Sequence, residues 1–403
     1  MSKNKLLLIV ALFSTTILIA QSKNTGINTL KVELFMQTRG GLNNSYATIT
    51  KNKNATIAFL GGSITYNPGW RDKVCDYLKE NFRSTKFRFI AAGIPSLGSL
   101  PHAFRLQRDV LDSGKIDLLF IEAAVNDKAN GTDSITQIQS LEGIVRHAKK
   151  NNPAMDIIIM SFADPEKTKD YDNGITPVEV RNHEFVADHY NLPSINLAKE
   201  VHDKLNNHEF SWENDFKDLH PSPFGQELYF EAIKKLLQKC FADNISPIVN
   251  PTIPAPLNRS NFEDGKYVEI EKANYDARWK LVRDWVPSDN LATRDGFVHV
   301  PVLEAEEPGA SLSFSFEGTA IGISIISGAD AGIISYSIDN GMYKKMNLYT
   351  QWSSMLHLPW YLILGSGLKN GKHIVNLKID DTTNKESKGH ACRIVHFLVN
   401  GAK

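Results

Sequence analysis

The stretch Ala58-Phe59-Leu60-Gly61-Gly62-Ser63-Ile64-Thr65 opens as a buried strand and stops at two glycines and a serine. A strand ends in Gly-Gly where backbone must pass close to something, whether a phosphate, another backbone or a substrate. Working outward, further short apolar runs follow at 87–92, 117–124, 155–162 and 194–198. Between 134 and 150, Ile135, Ile138, Leu141, Ile144, Val145 and Ala148 recur at helix spacing. Near-continuous apolar strands separated by helices predict a parallel sheet covered on both faces. Residues 55–243 therefore read as a three-layer α/β/α domain, flavodoxin-like, with five parallel strands.

Downstream, Pro247, Pro251, Pro254 and Pro256 mark 244–261 as a linker. Beyond it the period is two. Leu312, Phe314 and Phe316 alternate with serines, and Ile334, Tyr336 and Ile338 run into the turn signal Asn340-Gly341. Val375, Leu377 and Ile379 repeat the pattern before a last strand near 393–399, so 262–403 reads as an antiparallel, jelly-roll-like β-sandwich.

Upstream, Lys3 and Lys5 precede an apolar run at 6–20 and then polar Gln21-Ser22-Lys23-Asn24. Residues 1–20 read as a signal peptide and 21–54 as a lead segment, which predicts a secreted or periplasmic protein with no stable membrane association after cleavage. Leu18 is large for its place before the cleavage site, which leaves an uncleaved anchor as the alternative. No cysteine ends the run, against a lipoprotein. The three cysteines are too scattered for a disulfide framework, and the 12 histidines form no HExxH, so neither metal nor cofactor is expected. Lysine plus arginine equal aspartate plus glutamate at 45 each, which gives no electrostatic case for nucleic acid.

In open α/β sheets, ligands bind beyond the carboxyl ends of the strands, where strand order reverses. With the order 2-1-3-4-5, Ser63 is flanked by the glycine-rich loop at 93–99 and by Asn126. A serine hydroxyl is a weak nucleophile until a base takes its proton, and His220 is the candidate base. Acyl transfer also needs donors for the developing oxyanion. The Ser63 N–H, an N–H of the loop near Ser96 or Gly98, and the Asn126 amide can supply them, whereas Pro95 has none to give. Each element has a plainer reading: Gly-Gly-Ser as a phosphate cradle, Asn126-Asp127 as a turn, Asp218-Leu219-His220-Pro221 as the approach to a helix. Their combination at successive strand ends selects catalysis. Trp70 and Arg71 can line the pocket, or Trp70 can staple the first helix. For Trp352, Trp360 and Tyr361, core packing is preferred over a flat platform for sugar rings.

These residues resemble the SGNH hydrolases, the GDSL-type esterases and lipases, over about half the chain and in all four sequence blocks. Gly61 to Thr65 stands at the nucleophile block, Gly93 to Gly98 at the glycine block, Val125-Asn126-Asp127 at the asparagine block and Asp218 to Pro221 at the histidine block. The resemblance implies Ser63 as nucleophile, His220 as base and Asp218 as its orienting acid. This sequence departs from the family pattern at Gly62, where aspartate is usual, and at Ser96, where many members have glycine. Only Leu219 separates Asp218 from His220, and Lys217 holds the usual acid position. Asp215 as the acid, or a Ser-His dyad, are the alternatives. The C-terminal half resembles the β-sandwich modules of secreted carbohydrate esterases, which implies removal of O-acetyl groups from an acetylated carbohydrate or polysaccharide. A lipid-directed lipase or thioesterase, a non-catalytic glycan-binding protein and a flavin or phosphate binder are the rival readings.

Overall fold

The computed structural model describes residues 35–241 and 247–401. The export segment read at 1–20 lies outside them. Among the described residues, no helix is long and apolar enough to cross a membrane.

Six strands form the first sheet: β1 (Met36–Gln37), β2 (Asn54–Gly61), β3 (Lys86–Gly93), β4 (Leu118–Glu122), β5 (Asp156–Ser161) and β6 (Ser194–Asn196), in the order β1-β6-β5-β4-β2-β3. From β2 to β6 all pairings are parallel, as the alternation of strands and helices predicts, and their order counted from β2 is 2-1-3-4-5, the one under which Ser63 is flanked by the glycine-rich loop and Asn126. The sixth strand is a correction: β1 pairs antiparallel with the edge of β6 through Met36 and Gln37. Two residues are too few to show a period in the sequence.

The central strands bury both faces. Ile57 and Phe59 of β2, Phe120 of β4 and Ile158 of β5 join one apolar cluster, while Ala58, Leu60, Ile121 and Ile159 join the other. Side chains alternate across a strand, so a run apolar at every position is what two helical layers require. The helices Trp70–Asn81 and Pro223–Phe241 contribute to the first cluster, Ser99–Asp109 and Ser134–Asn151 to the second.

The C-terminal region stacks a seven-stranded sheet on a five-stranded one. The larger follows the order β10 (Ala292–Thr293), β16 (Leu356–Gly365), β13 (Ala320–Ser327), β18 (Cys392–Asn400), β11 (Val300–Ala305), β9 (Lys280–Trp285), with β7 (Gly265–Val268) also on β18. The smaller follows β15 (Lys344–Asn347), β14 (Ile333–Ile338), β17 (Gly371–Ile379), β12 (Ser311–Gly318), β8 (Asn274–Tyr275). Leu312, Phe314 and Phe316 face Ile323, Ile325 and Phe397 across the interior, and the Phe314 and Phe397 rings stack at 3.9 Å between centroids. Pairing is antiparallel except for the two-residue β10 against β16. The β14–β15 hairpin turns one residue earlier than expected: Asp339 and Asn340 carry the positive φ values, and the Gly341 N–H donates to the Ile338 carbonyl. Two consecutive left-handed residues match the twist of a hairpin.

Residues 35–403 cluster as one compact unit. The proline-rich segment is tied down, because the N–H groups of Leu257 and Asn258 donate to the Glu142 carboxylate and Arg146 donates to the Pro254 carbonyl. Phe262, Tyr361 and Leu398 complete the apolar cluster on one face of the parallel sheet.

Candidate active site

The question raised by Gly61-Gly62-Ser63 is answered by Asn126. A Cβ on Gly62 would overlap the Asn126 side-chain nitrogen, and its carbon would stand 3.3 Å from the Leu97 carbonyl. The close partner is therefore the protein's own polar machinery, and only glycine admits it. Gly62 then opens a single helical turn, Ser63–Tyr66, closed by the Tyr66 N–H to the Gly62 carbonyl at 2.9 Å. Ser63 is thereby lifted to the carboxyl edge of the sheet between β3 and β4, where the strand order reverses.

His220 arrives from the other end of the domain, just ahead of the helix Pro223–Phe241. Its Nε2 lies 2.8 Å from the Ser63 Oγ. With the proton on Nδ1, that geometry lets Nε2 accept the hydroxyl proton.

Asp218 does not complete a hydrogen-bonded triad. Its Oδ1 is 3.9 Å from the His220 Nδ1, beyond a hydrogen bond, and accepts the backbone N–H of His220 at 3.2 Å instead. An aspartate two residues before an N–H readily folds back on its own backbone, and the single intervening Leu219 makes this the available contact. The Asp218 side chain is 63% exposed. Asp215 is also committed elsewhere, since it accepts the Ser211 N–H and hydroxyl. Ser63 and His220 thus stand in this structure as a pair.

Of the two loop positions, Ser96 faces the pocket and Gly98 does not. Ser96 has φ +71°, and its carbonyl accepts from the Asn130 side chain at 2.9 Å. Gly98 packs beneath, where a Cβ would overlap the Asp127 carboxylate. Asp127 caps the helix Ser99–Asp109 by accepting the Ser99 N–H and hydroxyl at 2.8 and 2.9 Å, and its other oxygen is 3.0 Å from His183. In the Asn126-Asp127 pair, the first residue faces the pocket at 9% exposure and the second anchors the glycine loop.

Trp70 and Arg71 do not line the pocket. The Trp70 indole is fully buried against Phe59, Phe120 and Phe162, with its N–H donating to the Ile64 carbonyl, which is the stapling alternative. Arg71 braces the same turn through the Thr65 and Tyr66 carbonyls. Trp352 departs from the core-packing expectation: it is 37% exposed and lines the pocket, whereas Tyr361 is buried and shares a hydrogen bond with the Tyr267 hydroxyl.

The β-sandwich closes one wall of this pocket, a cavity of about 470 Å³, with Thr293, Arg294, Asp295, Trp352, Leu356 and Leu358. Arg294 donates to the Ser96 hydroxyl at 3.2 Å, and the Tyr66 hydroxyl donates to Asp295 at 3.0 Å. A neighbouring cleft of about 750 Å³ shares Asn130, Leu219 and Trp352 with it and adds Tyr349 and Trp360. Arg294 and Asp295 sit in an irregular stretch whose sequence carries no motif, so sequence reasoning had no signal for them. Among the described residues, no three His, Cys, Asp or Glu side chains converge as metal ligands.

Below Ser63 lies one residue that did carry a signal, a carboxylate inside the apolar run of β4. Glu122 is fully buried, and burial raises its pKa from 4.5 to about 6. Because the folded value is the higher, this carboxyl stabilises the fold fully below pH 4.5, and the contribution of about 2 kcal/mol is lost as pH rises through 6. The Tm of Glu122→Gln minus that of wild type is therefore expected to increase from pH 4.5 to pH 7 by several degrees. A difference flat across that range would mean that burial leaves this carboxyl unshifted.

This architecture, a serine-bearing turn after the first parallel strand with a histidine ahead of the last helix, is the SGNH-type α/β fold. Residues 59–228 match the model of the GDSL-like lipase/acylhydrolase family. Over 93% of this chain and 98% of the other, the fold superposes on a two-domain esterase (CEX) active on acetylated mannans, co-crystallised with mannopentaose, with a TM-score of 0.74 at 21% identity. A second crystal structure of an esterase so described gives 0.72 at 21% identity, over 93% and 99% of the two chains. No curated protein matches the sequence.

Proposed function

We propose that this chain is a serine esterase that removes O-acetyl groups from a polysaccharide. The observation that carries the reading is the 2.8 Å contact between Ser63 Oγ and His220 Nε2 at the strand-order switch. Ser63 attacks the ester carbonyl as His220 takes its proton. The Asn126 amide, the Ser63 N–H and an N–H of the Ser96 loop hold the oxyanion, and collapse expels the sugar alcohol, protonated by His220. Water then cleaves the acetyl-enzyme with the same roles reversed. A carbohydrate rather than a lipid is supported by the open pocket, which mixes Asn67, Asn130, Arg294 and Asp295 with the exposed Trp352, and by the whole-length likeness in fold to an esterase active on acetylated mannans. The apolar run at 6–20 supports export.

The test is acetate release from acetylated mannan, acetylated xylan and p-nitrophenyl acetate, alongside p-nitrophenyl esters of long acyl chains. Acetate release from a polysaccharide supports the proposal. Faster turnover of long-chain esters would move the assignment to lipid, and sugar binding without hydrolysis would move it to a binding protein.

Two substitutions separate the supporting residues. Asn126→Ala is expected to lower kcat by about 10²- to 10³-fold with KM nearly unchanged, as for loss of an oxyanion donor. Asp218→Asn is expected to lower kcat by less than about tenfold, far below the roughly 10⁴-fold effect of removing a triad aspartate. A loss of triad size on p-nitrophenyl acetate would show that Asp218 swings onto Nδ1 during turnover.

A further inference from the structure

The carboxylate of Glu122 is the last residue of β4 and points back across the sheet under the neighbouring strand's end. Its Oε2 accepts the Gly62 N–H at 3.0 Å and lies 3.5 Å from the Thr65 hydroxyl, while its Oε1 is buried with no hydrogen-bond partner. A buried carboxylate with one orphaned oxygen is costly for a fold, so an apolar residue here would be the stabler choice. What the carboxylate gains is control of one peptide group. Gly62 has φ −87° and ψ −148°, and the rotation about its ψ sets the direction of the following Ser63 N–H. The Gly62 N–H is the only donor by which a side chain can hold that residue from below, because its Cα face is already occupied by Asn126.

We infer that Glu122 is a positioning residue of the esterase, holding the Gly61–Gly62 peptide by its N–H and so fixing the start of the turn from which the Ser63 N–H faces the oxyanion and the hydroxyl faces His220. It acts through Gly62 and touches no substrate, since it does not line the pocket. This rests on the esterase reading above. The groups around the carboxylate are in keeping with an acceptor role rather than a charge role. Arg105, on the helix Ser99–Asp109, spends its guanidinium on the Gly61 and Ala92 carbonyls, Asp109 and His102. His102 is held neutral by burial, and of Glu122 it meets the backbone carbonyl, at 3.2 Å, rather than the carboxylate. His183 pairs with Asp127, and Lys167 with Asp164 and Glu179. Glu122 has no ion-pair partner among the described residues, and its raised pKa keeps part of the population neutral near pH 6.

The contact, not the charge, is therefore the tested quantity. Glu122→Gln keeps an acceptor oxygen at the same reach, whereas Glu122→Asp keeps the charge and withdraws the oxygen by one methylene. For p-nitrophenyl acetate at pH 8, kcat is expected within about threefold of wild type for the glutamine variant. It is expected to fall at least tenfold for the aspartate variant, with KM within twofold in both and folding confirmed by Tm. Equal kcat for the two variants, or a glutamine variant worse than the aspartate one, overturns the inference. A wild type that turns over no acyl ester overturns the esterase reading and this inference with it, whereas active wild type with the two variants equal overturns this inference alone.

Discussion

Ser63→Ala is expected to reduce kcat for acetyl esters by on the order of 10⁶-fold, leaving only what binding and the oxyanion donors achieve without a nucleophile. The size follows from the way nucleophile and base act as one unit: without Oγ, His220 has no proton to take. The variant should fold normally, because the hydroxyl's recorded partner is the exposed His220, and the surrounding turn is held by Trp70, Arg71 and Asn126 through groups the substitution leaves alone. The measurement is acetate release from acetylated polysaccharide together with Tm. Residual turnover within tenfold of wild type, at unchanged Tm, would assign hydrolysis to another group and sink the serine mechanism.

His220→Ala is expected to cost about as much, again on the order of 10⁵- to 10⁶-fold in kcat, and the double variant with Ser63→Ala to cost little more than either alone. Independent contributions would instead multiply. Because Asp218 makes no hydrogen bond to the ring, the histidine in this chain depends on its own loop for orientation. That loop is stiffened from below by Phe216 packed against Tyr229 and by the Ser222 N–H on the Phe216 carbonyl at 2.9 Å. A double variant whose loss approaches the product of the two single losses, or a His220 variant that keeps most of its activity, would overturn the pairing.

The pocket's second wall comes from the β-sandwich region. Arg294 on the Ser96 hydroxyl and Asp295 on the Tyr66 hydroxyl bring two residues of the β-sandwich region to the loop beside Ser63 and to the turn that carries it. Trp352 offers an exposed ring beside them. The sandwich is thus part of the site's architecture, and the tethered segment through Glu142 and Arg146 keeps it there.

The sequence by itself determined the sheet and the neighbourhood of Ser63. Apolar runs without alternation demand two covering layers, and the polar residues that interrupt them at the carboxyl ends, Ser63, Asn126 and the loop around Ser96, had to share the switch point once the strand order followed. The glycines had to be there because backbone and side chain meet at Gly62. Tertiary structure alone decided which of Ser96 and Gly98 faces outward, since a left-handed residue and the Asp127 cap below it set the loop's direction. It decided that Trp70 is core, because an indole pattern cannot say which side of a turn is solvent. It also decided that Asp218 turns to its own backbone, a choice between two acceptor geometries a few tenths of a nanometre apart. Last, it brought Arg294 and Asp295 to the site across more than 200 residues of chain. Local propensity carries no record of such a contact, which exists only when two surfaces far apart in the chain pack.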